Sequence, residues 1–265
     1  MNVDTRFSKY GEAEASFDLC SITDVEMFNR RHYEAAKVIQ SDGRVLDLAC
    51  GQGIGIEYFA AKCSSLVAVD VKPANLRDIL YQERFQSNLM VASAENLPFK
   101  NDSFDSILIL EAIYYFRDMQ SCLNESARIL KNKIGTLFFC FPNKDIPAFN
   151  GSPYAERYYS VPEIFTMTSL FFSDVKIYGG FPVGTGTRGI GYRLIRKNLA
   201  VLLGRVPLGS NIKNFLKRKY MGYSHKFPSV VRDGEICGDD LVELPTDQKN
   251  GIYQVVYVVA KSKYM

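Results

Sequence analysis

The stretch VLDLACGQGIG, residues 45–55, decides the fold of this 265-residue chain. A run of apolar residues typical of a strand ends in glycines at positions 51, 53 and 55, and residues 56–62 follow with the pattern of a helix. Glycine has no Cβ, so the main chain can turn sharply and approach a ligand closely, while the next helix directs its N-terminal amides toward it. The stretch therefore predicts a strand, a glycine turn and a helix around a bound molecule.

Strand and helix patterns alternate on both sides of this turn. Several of the strands are continuously apolar, which indicates a parallel sheet covered by helices on both faces. We therefore expect an α/β fold with a doubly wound, mostly parallel sheet of seven strands, and such sheets bind ligands at the carboxyl ends of their strands. Helices are predicted for residues 24–40 (beginning at Thr23 or Asp24), 73–85, 119–130 and 161–170, and strands for residues 44–49, 66–69, 88–92, 105–110, 135–141, 174–179 and 253–260.

A long connection separates the last two predicted strands. It spans about seventy residues, more than a compact domain usually leaves without structure of its own. We expect an inserted basic helical subdomain there, with amphipathic helices near residues 190–203 and 212–220. The predicted organisation is a helical cap (1–43), a ligand-binding core (44–180), the inserted subdomain (181–250) and the final strand of the sheet (251–265).

Charge is distributed unevenly along the chain. Residues 175–231 contain eleven Lys and Arg but no Asp or Glu. The net charge of the whole chain is +3, so the remaining residues together carry a net charge of −8. A solvated charged face would account for this segment in the simplest way. So many uncompensated positive charges also favour an anionic partner, such as a phosphate-bearing molecule met by Arg188 or a membrane surface contacted through residues 188–226.

Composition excludes several classes of protein. Hydrophobic residues make up 47% of the chain and charged residues 23%, which is typical of a globular protein rather than a disordered one. Apolar runs stay short of the roughly 18 residues of a spanning helix, and the N-terminal residues lack the apolar core of a signal peptide, so we expect a cytoplasmic protein. The six cysteines are scattered without a C-x-x-C pair, and no metal site is expected.

Two acidic residues indicate the kind of ligand that the glycine turn holds. Asp47 lies on the strand before the turn, where its carboxylate would repel a pyrophosphate and attract an ammonium group. Asp70 closes the next predicted strand, where a carboxylate can accept hydrogen bonds from ribose hydroxyls. A glycine turn alone would also suit a plain tight turn or a dinucleotide site. An amino acid joined to a nucleoside satisfies both carboxylates.

These motifs resemble those of the class I S-adenosylmethionine (SAM)-dependent methyltransferases. The resemblance extends over about residues 44–141, through SAENLPF (residues 93–99), FDSILILE (residues 104–111) and the passage from residue 127 to Gly135. It implies a Rossmann-like fold, SAM as the methyl donor and S-adenosyl-L-homocysteine (SAH) as the product. The residues that it places around the cofactor are Asp47, Ala49, Gly51, Gly53, Asp70, Val71, Ala94, Glu95 and Leu110.

A general base is less clearly marked. Many similar methyltransferases carry Glu-His after the fourth strand, whereas here Glu111 is followed by Ala-Ile-Tyr-Tyr, which removes a histidine base from that place. The candidates are therefore Glu111 and the two histidines of the chain, His32 and His225. Nearby tyrosines, Tyr114 and Tyr115 among them, are candidates for shaping the acceptor site.

The predicted function is transfer of a methyl group from SAM to a hydroxyl of a small molecule. The diffuse likeness of the N-terminal region and of residues 111–115 to methyltransferases of bacterial polysaccharide and secondary-metabolite pathways favours a sugar or glycan, nucleotide- or lipid-linked. A nucleic-acid methyltransferase could use the basic segment as a phosphate track, but no Asn-Pro-Pro-Tyr-type motif or RNA module is present. A non-catalytic SAM-binding regulatory protein is the third alternative.

Overall fold

One sheet of eight strands organises the part of the chain that the computed structural model describes, which is residues 20–81, 88–147, 149–183, 225, 228–229, 231 and 240–263. The strands are β1 (Arg44–Leu48), β2 (Ser65–Asp70), β3 (Leu89–Val91), β4 (Ser106–Leu110), β5 (Thr136–Pro142), β6 (Phe172–Pro182), β7 (Val242–Glu243) and β8 (Tyr253–Ser262). The helices are α1 (Ile22–Ala36), α2 (Ile56–Ala60), α3 (Pro73–Tyr81), α4 (Met119–Ile129) and α5 (Val161–Phe171), with a 3-10 turn at Ile113–Tyr115.

The strand order creates a point of reversal beside β1. The order is β3-β2-β1-β4-β5-β8-β6-β7, so the chain winds outward from β1 through β2 and β3 and then returns to β4 on the other side of β1. Strands β1 to β5 are parallel, and β8 runs antiparallel between β5 and β6. Ligands of doubly wound sheets bind where the winding reverses, at the carboxyl ends of the strands.

The alternation of side chains along each strand divides the core into two layers. In β1, Val45 belongs to a cluster with side chains of α1, α2 and α3, whereas Leu46 belongs to a cluster with side chains of α4 and α5. Strand β4 alternates in the same way, with Leu108 in the first cluster and Ile107 in the second. Helices therefore cover both faces of the sheet, as the continuously apolar strands predict.

The predicted doubly wound α/β sheet is confirmed, and within the described residues it has eight strands instead of the predicted seven. The additional strand is β7, a two-residue strand that pairs antiparallel with the outer edge of β6. It lies within the segment predicted as the inserted subdomain, as do the last two residues of β6. Residues near both ends of the segment 181–250 therefore belong to the sheet. The helices predicted for that segment lie outside the described residues.

Helix α1 begins earlier than the sequence pattern predicted. Its N-cap is Ser21, whose hydroxyl accepts a hydrogen bond from the Asp24 amide, and the Asp24 carboxylate accepts one from the Ser21 amide at 2.8 Å. Asp24 is therefore the N3 residue of a capping box rather than the cap itself. The helix also ends at Ala36 instead of residue 40. None of the helices within the described ranges combines the length and apolarity needed to cross a bilayer.

Candidate functional site

Three segments meet at the carboxyl edge of the sheet around the point of reversal. The glycine turn follows β1, Asp70 ends β2, and Glu111 directly follows β4. Ala49 and Glu111, just beyond the ends of the two strands that flank the reversal, have φ angles of 62° and 55°. Such left-handed backbone is uncommon for residues other than glycine and must be stabilised by the surrounding structure. The main chain is therefore bent in the same way at both positions.

The glycine turn is fixed by main-chain hydrogen bonds. The Cys50 amide donates to the Val69 carbonyl at 3.0 Å and the Gly53 amide donates to the Cys50 carbonyl at 3.0 Å. Gly51 and Gly53 have φ angles of 54° and 71°, which glycine adopts without strain. The geometry of the turn therefore favours glycine at both positions.

Two of the glycines are also required by contacts within the protein. A Cβ on Gly53 would lie 2.7 Å from Cδ1 of Ile79 in α3. A Cβ on Gly55 would lie 2.7 Å from Cε2 of Phe59 and 2.9 Å from Cδ2 of His32. The sequence-based interpretation assigned these glycines to close approach of a ligand. The structure adds that they let α1 and α3 pack directly on the turn.

Asp70 organises the turn through its carboxylate. Oδ2 accepts a hydrogen bond from the Gly51 amide at 2.9 Å, and Oδ1 accepts from the Lys72 amide at 2.8 Å and from Nδ2 of Asn75 at 3.2 Å. Burial raises the pKa of this carboxyl, and these hydrogen bonds oppose the effect. A carboxylate has about four acceptor positions, so donors from the described part of the chain fill three of them and leave capacity for one more.

Asp47 lies beside Asp70 on the same face of the sheet. It is 5% exposed. None of the described residues donates a hydrogen bond to its carboxylate or forms an ion pair with it. Burial, with a smaller contribution from the negative charge of Asp70, raises the pKa of Asp47 from 3.8 to about 7. A carboxylate placed in this way favours a ligand cation, because a positive charge would offset both effects.

The loop of residues 93–99, which the resemblance places around the cofactor, follows β3. Ala94 is buried, and Glu95 is half-buried with its amide donating to the Ser93 hydroxyl at 3.2 Å. The Glu95 carboxylate accepts from the amides of Arg117 and Asp118 at 2.9 and 3.1 Å. The side chain of Glu95 thus fixes the loop to the segment before α4.

The two remaining predicted cofactor residues flank the site. Val71 directly follows Asp70 and is 37% exposed, and Leu110 ends β4 and is half-buried. Both therefore offer apolar side-chain surface at the carboxyl edge, next to the two bent positions of the main chain. Their roles toward the cofactor stay predictions.

Glu111 is the acidic group on the β4 side of the site. Its Oε2 accepts a hydrogen bond from the Tyr114 hydroxyl at 3.3 Å, and its Oε1 lies 3.8 Å from Nη1 of Arg31 in α1. Burial raises the pKa of Glu111, while Arg31 and, to a lesser degree, the Tyr114 hydrogen bond lower it. Its side chain keeps 21% of its surface exposed, so the carboxylate is partly desolvated but accessible.

The two histidines differ from Glu111 in their surroundings. His32 is buried, its Nδ1 hydrogen-bonds the Phe28 carbonyl at 2.7 Å, and its ring stacks on Phe59 at 5.7 Å. Burial, followed by the nearby Arg31 charge, lowers its pKa to about 3, so the ring is neutral near pH 7. His225 is exposed and exchanges main-chain hydrogen bonds with Cys20, ahead of α1. A role of either histidine as the general base stays a prediction.

Sequence reasoning missed Arg31 and Asn75 as site residues. Asn75 stands in the first turn of α3, five residues after Asp70, and a polar residue there would have been a usable signal. Arg31 gave no comparable signal, because its contact with Glu111 joins residues eighty positions apart in the sequence.

The region that contains the glycine turn, Asp70 and Glu111 is similar to known proteins. Residues 46–139 match a family of methyltransferase domains. A phthiotriol/phenolphthiotriol dimycocerosates methyltransferase of Mycobacterium leprae is 34% identical over 108 residues, which span 39% of this chain and 39% of that protein. A ubiquinone biosynthesis O-methyltransferase of Bartonella tribocorum is 28% identical over 123 residues, 43% of this chain and 49% of that protein.

Solved structures extend the likeness to the whole fold. The crystal structure of a SAM-dependent methyltransferase from Archaeoglobus fulgidus covers 95% of this chain and 99% of its own length, with a TM-score of 0.56 and 16% sequence identity. At that identity the likeness concerns the fold alone. The match in sequence to the M. leprae protein spans only 39% of that protein's length.

Proposed function

The chain carries a class I SAM-dependent methyltransferase domain, and on this premise we propose that the protein transfers a methyl group from SAM to a hydroxyl of a small-molecule acceptor. The observation that carries the proposal is the pair of buried carboxylates, Asp47 and Asp70, beside the glycine turn. Asp47 would bind the ammonium group of the methionine moiety, and Asp70 would accept a hydrogen bond from the ribose.

The residues present fit this cofactor. The buried Asp47 carboxylate has no cationic partner among the described residues, and an ammonium group would supply one. The remaining acceptor capacity of Asp70 suits one hydroxyl of a ribose. When bound, SAM would supply a methyl group on a positively charged sulfur that already favours transfer.

Glu111 is the residue best placed to remove the proton of the acceptor hydroxyl. It directly follows β4, next to the reversal point, and is partly exposed. Its raised pKa makes it a stronger base than an ordinary glutamate. His32 would serve less well, since its low pKa makes it a weak base and its ring is enclosed between α1 and the glycine turn. The protein would thus orient the hydroxyl and accept its proton.

The acceptor is proposed to be a sugar or glycan hydroxyl, carried on a nucleotide or a lipid. An oxygen acceptor is supported by the name of the B. tribocorum relative, an O-methyltransferase. A phosphate or a membrane surface near the acceptor is supported by the eleven positive charges of residues 175–231. The same segment would suit nucleic acid, but the names of the M. leprae and B. tribocorum relatives refer to phthiotriol dimycocerosates and to ubiquinone.

Cofactor binding is tested with Asp70→Asn. Asparagine retains the shape but can no longer accept from both main-chain amides, so we expect SAM affinity to fall about tenfold or more, in keeping with the strength of hydrogen bonds to charged groups. Isothermal titration calorimetry with SAM and SAH measures the change. Asp78→Asn, at an exposed position of α3, removes the same charge and should bind as the wild type does. Equal affinities for all three proteins would contradict the assignment.

Methyl transfer is tested with methyl-labelled SAM and fractionated cell extract that includes nucleotide-sugar and lipid-linked glycan pools. We expect label to enter a small molecule with the wild type and to be lost with Glu111→Gln, which should still bind SAM. SAM binding without any labelled product would favour the non-catalytic alternative. Label in RNA or DNA, with binding that weakens steeply in salt, would favour the nucleic-acid methyltransferase.

A further inference from the structure

Arg31 joins the first helix to the acidic side of the site. Its Nη1 lies 3.8 Å from Oε1 of Glu111, and the side chains of both residues are about one-fifth exposed. The other carboxylate oxygen, Oε2, accepts the hydrogen bond from Tyr114. Glu111 is thus held from two sides by groups that approach different oxygens. A carboxylate held in this way has a defined orientation even without a bound acceptor.

The guanidinium is itself held by the packing of α1. It lies over the ring of Phe28 at 5.0 Å from the centroid, a cation–π contact that restricts the arginine side chain. The next residue, His32, packs on Phe59 and leaves no room for a Cβ on Gly55. Adjacent residues of one helix therefore contact the glycine turn and the Glu111 carboxylate. The position of Arg31 relative to Glu111 is fixed by the same packing that closes the turn.

Within the described ranges, Arg31 is the cation that lowers the pKa of Glu111 against the larger effect of burial. The other titratable groups that interact with Glu111 there come from the 3-10 turn, the segment before α5, β5 and β8. They are Tyr114, Tyr158, Cys140 and Tyr257. Burial raises the pKa of each, so all four are neutral near pH 7. The nearby Arg30 is paired with Glu34 at 2.8 Å. The carboxylate therefore depends on Arg31 to offset its desolvation.

We propose that Arg31 is a positioning residue for methyl transfer, which holds the Glu111 carboxylate oriented and ionised so that it can take the proton of the acceptor hydroxyl. This inference rests on the proposed function, since it concerns the base of that same reaction. In the step, the acceptor O–H bond breaks as the acceptor oxygen bonds to the methyl carbon, the proton passes to a Glu111 oxygen, and the bond between methyl carbon and sulfur leaves its electron pair on sulfur. Arg31 gives up no proton in this step.

The test is a titration of Glu111 by ¹³C NMR of protein labelled at the glutamate side-chain carboxyl, alone and with SAH. The Glu111 signal is the one missing from Glu111→Gln. Arg31→Gln keeps most of the aliphatic stem on Phe28 but removes the charge, so we expect the midpoint of Glu111 to move to higher pH. Arg31→Lys restores the charge, and its midpoint should return toward that of the wild type.

Arg77→Ala, at an exposed position of α3, removes one positive charge elsewhere and should leave the midpoint unchanged. Coincident Glu111 titrations in wild type and Arg31→Gln would overturn the proposal. So would a large loss of SAM affinity in Arg31→Gln without a change in that midpoint, because Arg31 would then belong to the cofactor site. If Arg31→Gln does not fold, Arg31→Met carries the same comparison. The titration needs no turnover, so it is separate from failure of the proposed function, which would appear as absent SAM binding or transfer by the wild type.

Discussion

The Asp47 carboxylate is a buried group that a ligand cation would stabilise. It lies close to Asp70, and burial is the main cause of its raised pKa. The folded protein therefore retains a proton there that the unfolded chain releases near pH 4. Between about pH 4 and pH 7 the folded state holds more protons, so the contribution of Asp47 to stability is lost as pH rises through about 7. A bound ammonium group would reverse this preference.

The first prediction concerns proton release on cofactor binding. If Asp47 binds the ammonium group of SAM, its pKa falls on binding, and at pH 6 the protein should release close to one proton per SAM, an order-of-magnitude expectation from linkage. Calorimetry in two buffers of different ionisation enthalpy measures the number released. Asp47→Asn should abolish the release and weaken SAM binding at pH 8. A release that persists in Asp47→Asn would assign the proton to another group.

A second prediction concerns Gly53, where a side chain is excluded by both conformation and space. Its φ is 71°, and an added Cβ would lie 2.7 Å from Ile79 and 2.9 Å from Ile56. We expect Gly53→Ala to lower the free energy of unfolding by about 2–4 kcal/mol, from backbone strain together with overpacking. Urea denaturation measures the change.

Gly251→Ala is the control for Gly53→Ala, because among the residues that the structure describes a Cβ at Gly251 would meet only the Asp145 carbonyl oxygen, at 3.3 Å. It should shift the urea midpoint much less. Equal midpoints for the two variants would show that the glycine turn tolerates a side chain at Gly53.

At the scale of elements, the loop after β3 depends on helix α4. The guanidinium of Arg128 donates to the carbonyls of Leu97 and Phe99 at 2.9 and 2.7 Å, and Glu125 accepts from the Leu97 amide at 2.8 Å. Arg128 and Glu125 are joined by two hydrogen bonds of 2.8 Å each. One pair of residues, a turn apart on α4, therefore holds both the donor and the acceptor groups of the loop main chain.

The third prediction follows from this attachment. Arg128→Met removes the donors to the loop while retaining much of the side-chain volume, so amide hydrogen exchange of residues 97–101 should accelerate about tenfold or more, for a loss of about 1–3 kcal/mol. SAM affinity should fall several-fold if the main chain of this loop binds the adenine. Arg157→Met, which removes an exposed arginine paired with Glu163, is the matched control. Unchanged exchange in Arg128→Met would refute the attachment.

In the whole molecule, the basic residues and the groups of the site lie in different parts of the chain. The basic residues are concentrated between β6 and β7, whereas the site groups come from the first half of the chain. The connection returns to the sheet at β7 and β8, and its Asp240 lies 3.6 Å from Arg30 of α1. The connection therefore ends against the helix that also carries Arg31.

The fourth prediction concerns the basic segment. If it meets phosphate at a membrane surface, the full chain should float with phosphatidylglycerol vesicles but not with phosphatidylcholine vesicles, and the association should weaken as salt is raised above about 0.15 M. Replacing Lys217, Arg218 and Lys219 together by Gln should reduce it. Equal recovery from both kinds of vesicle would favour a solvated charged face.

Local patterns in the sequence determined the architecture. The glycine turn, its flanking strand and the alternation of apolar strands with helices specify a doubly wound sheet, because side-chain periodicity and glycine content act over a few residues. Asp47 and Asp70 could be singled out for the same reason, since each ends or precedes a turn that the sequence marks. The exceptions were short or terminal features. The predicted start of α1 was wrong because Ser21 and Asp24 cap each other. Strand β7 was missed because two residues are too few to show the alternation of a strand.

The tertiary structure alone decided which side chains meet across the site. The contact between Arg31 and Glu111 joins α1 to the end of β4, and the exclusion of a side chain at Gly55 comes from His32 and Phe59 on two different helices. Such contacts depend on the packing of elements that are distant in sequence, and no local pattern encodes them. The sequence therefore specified the glycine turn and its two acidic neighbours, whereas the surroundings of Glu111 follow from how α1 packs across the edge of the sheet.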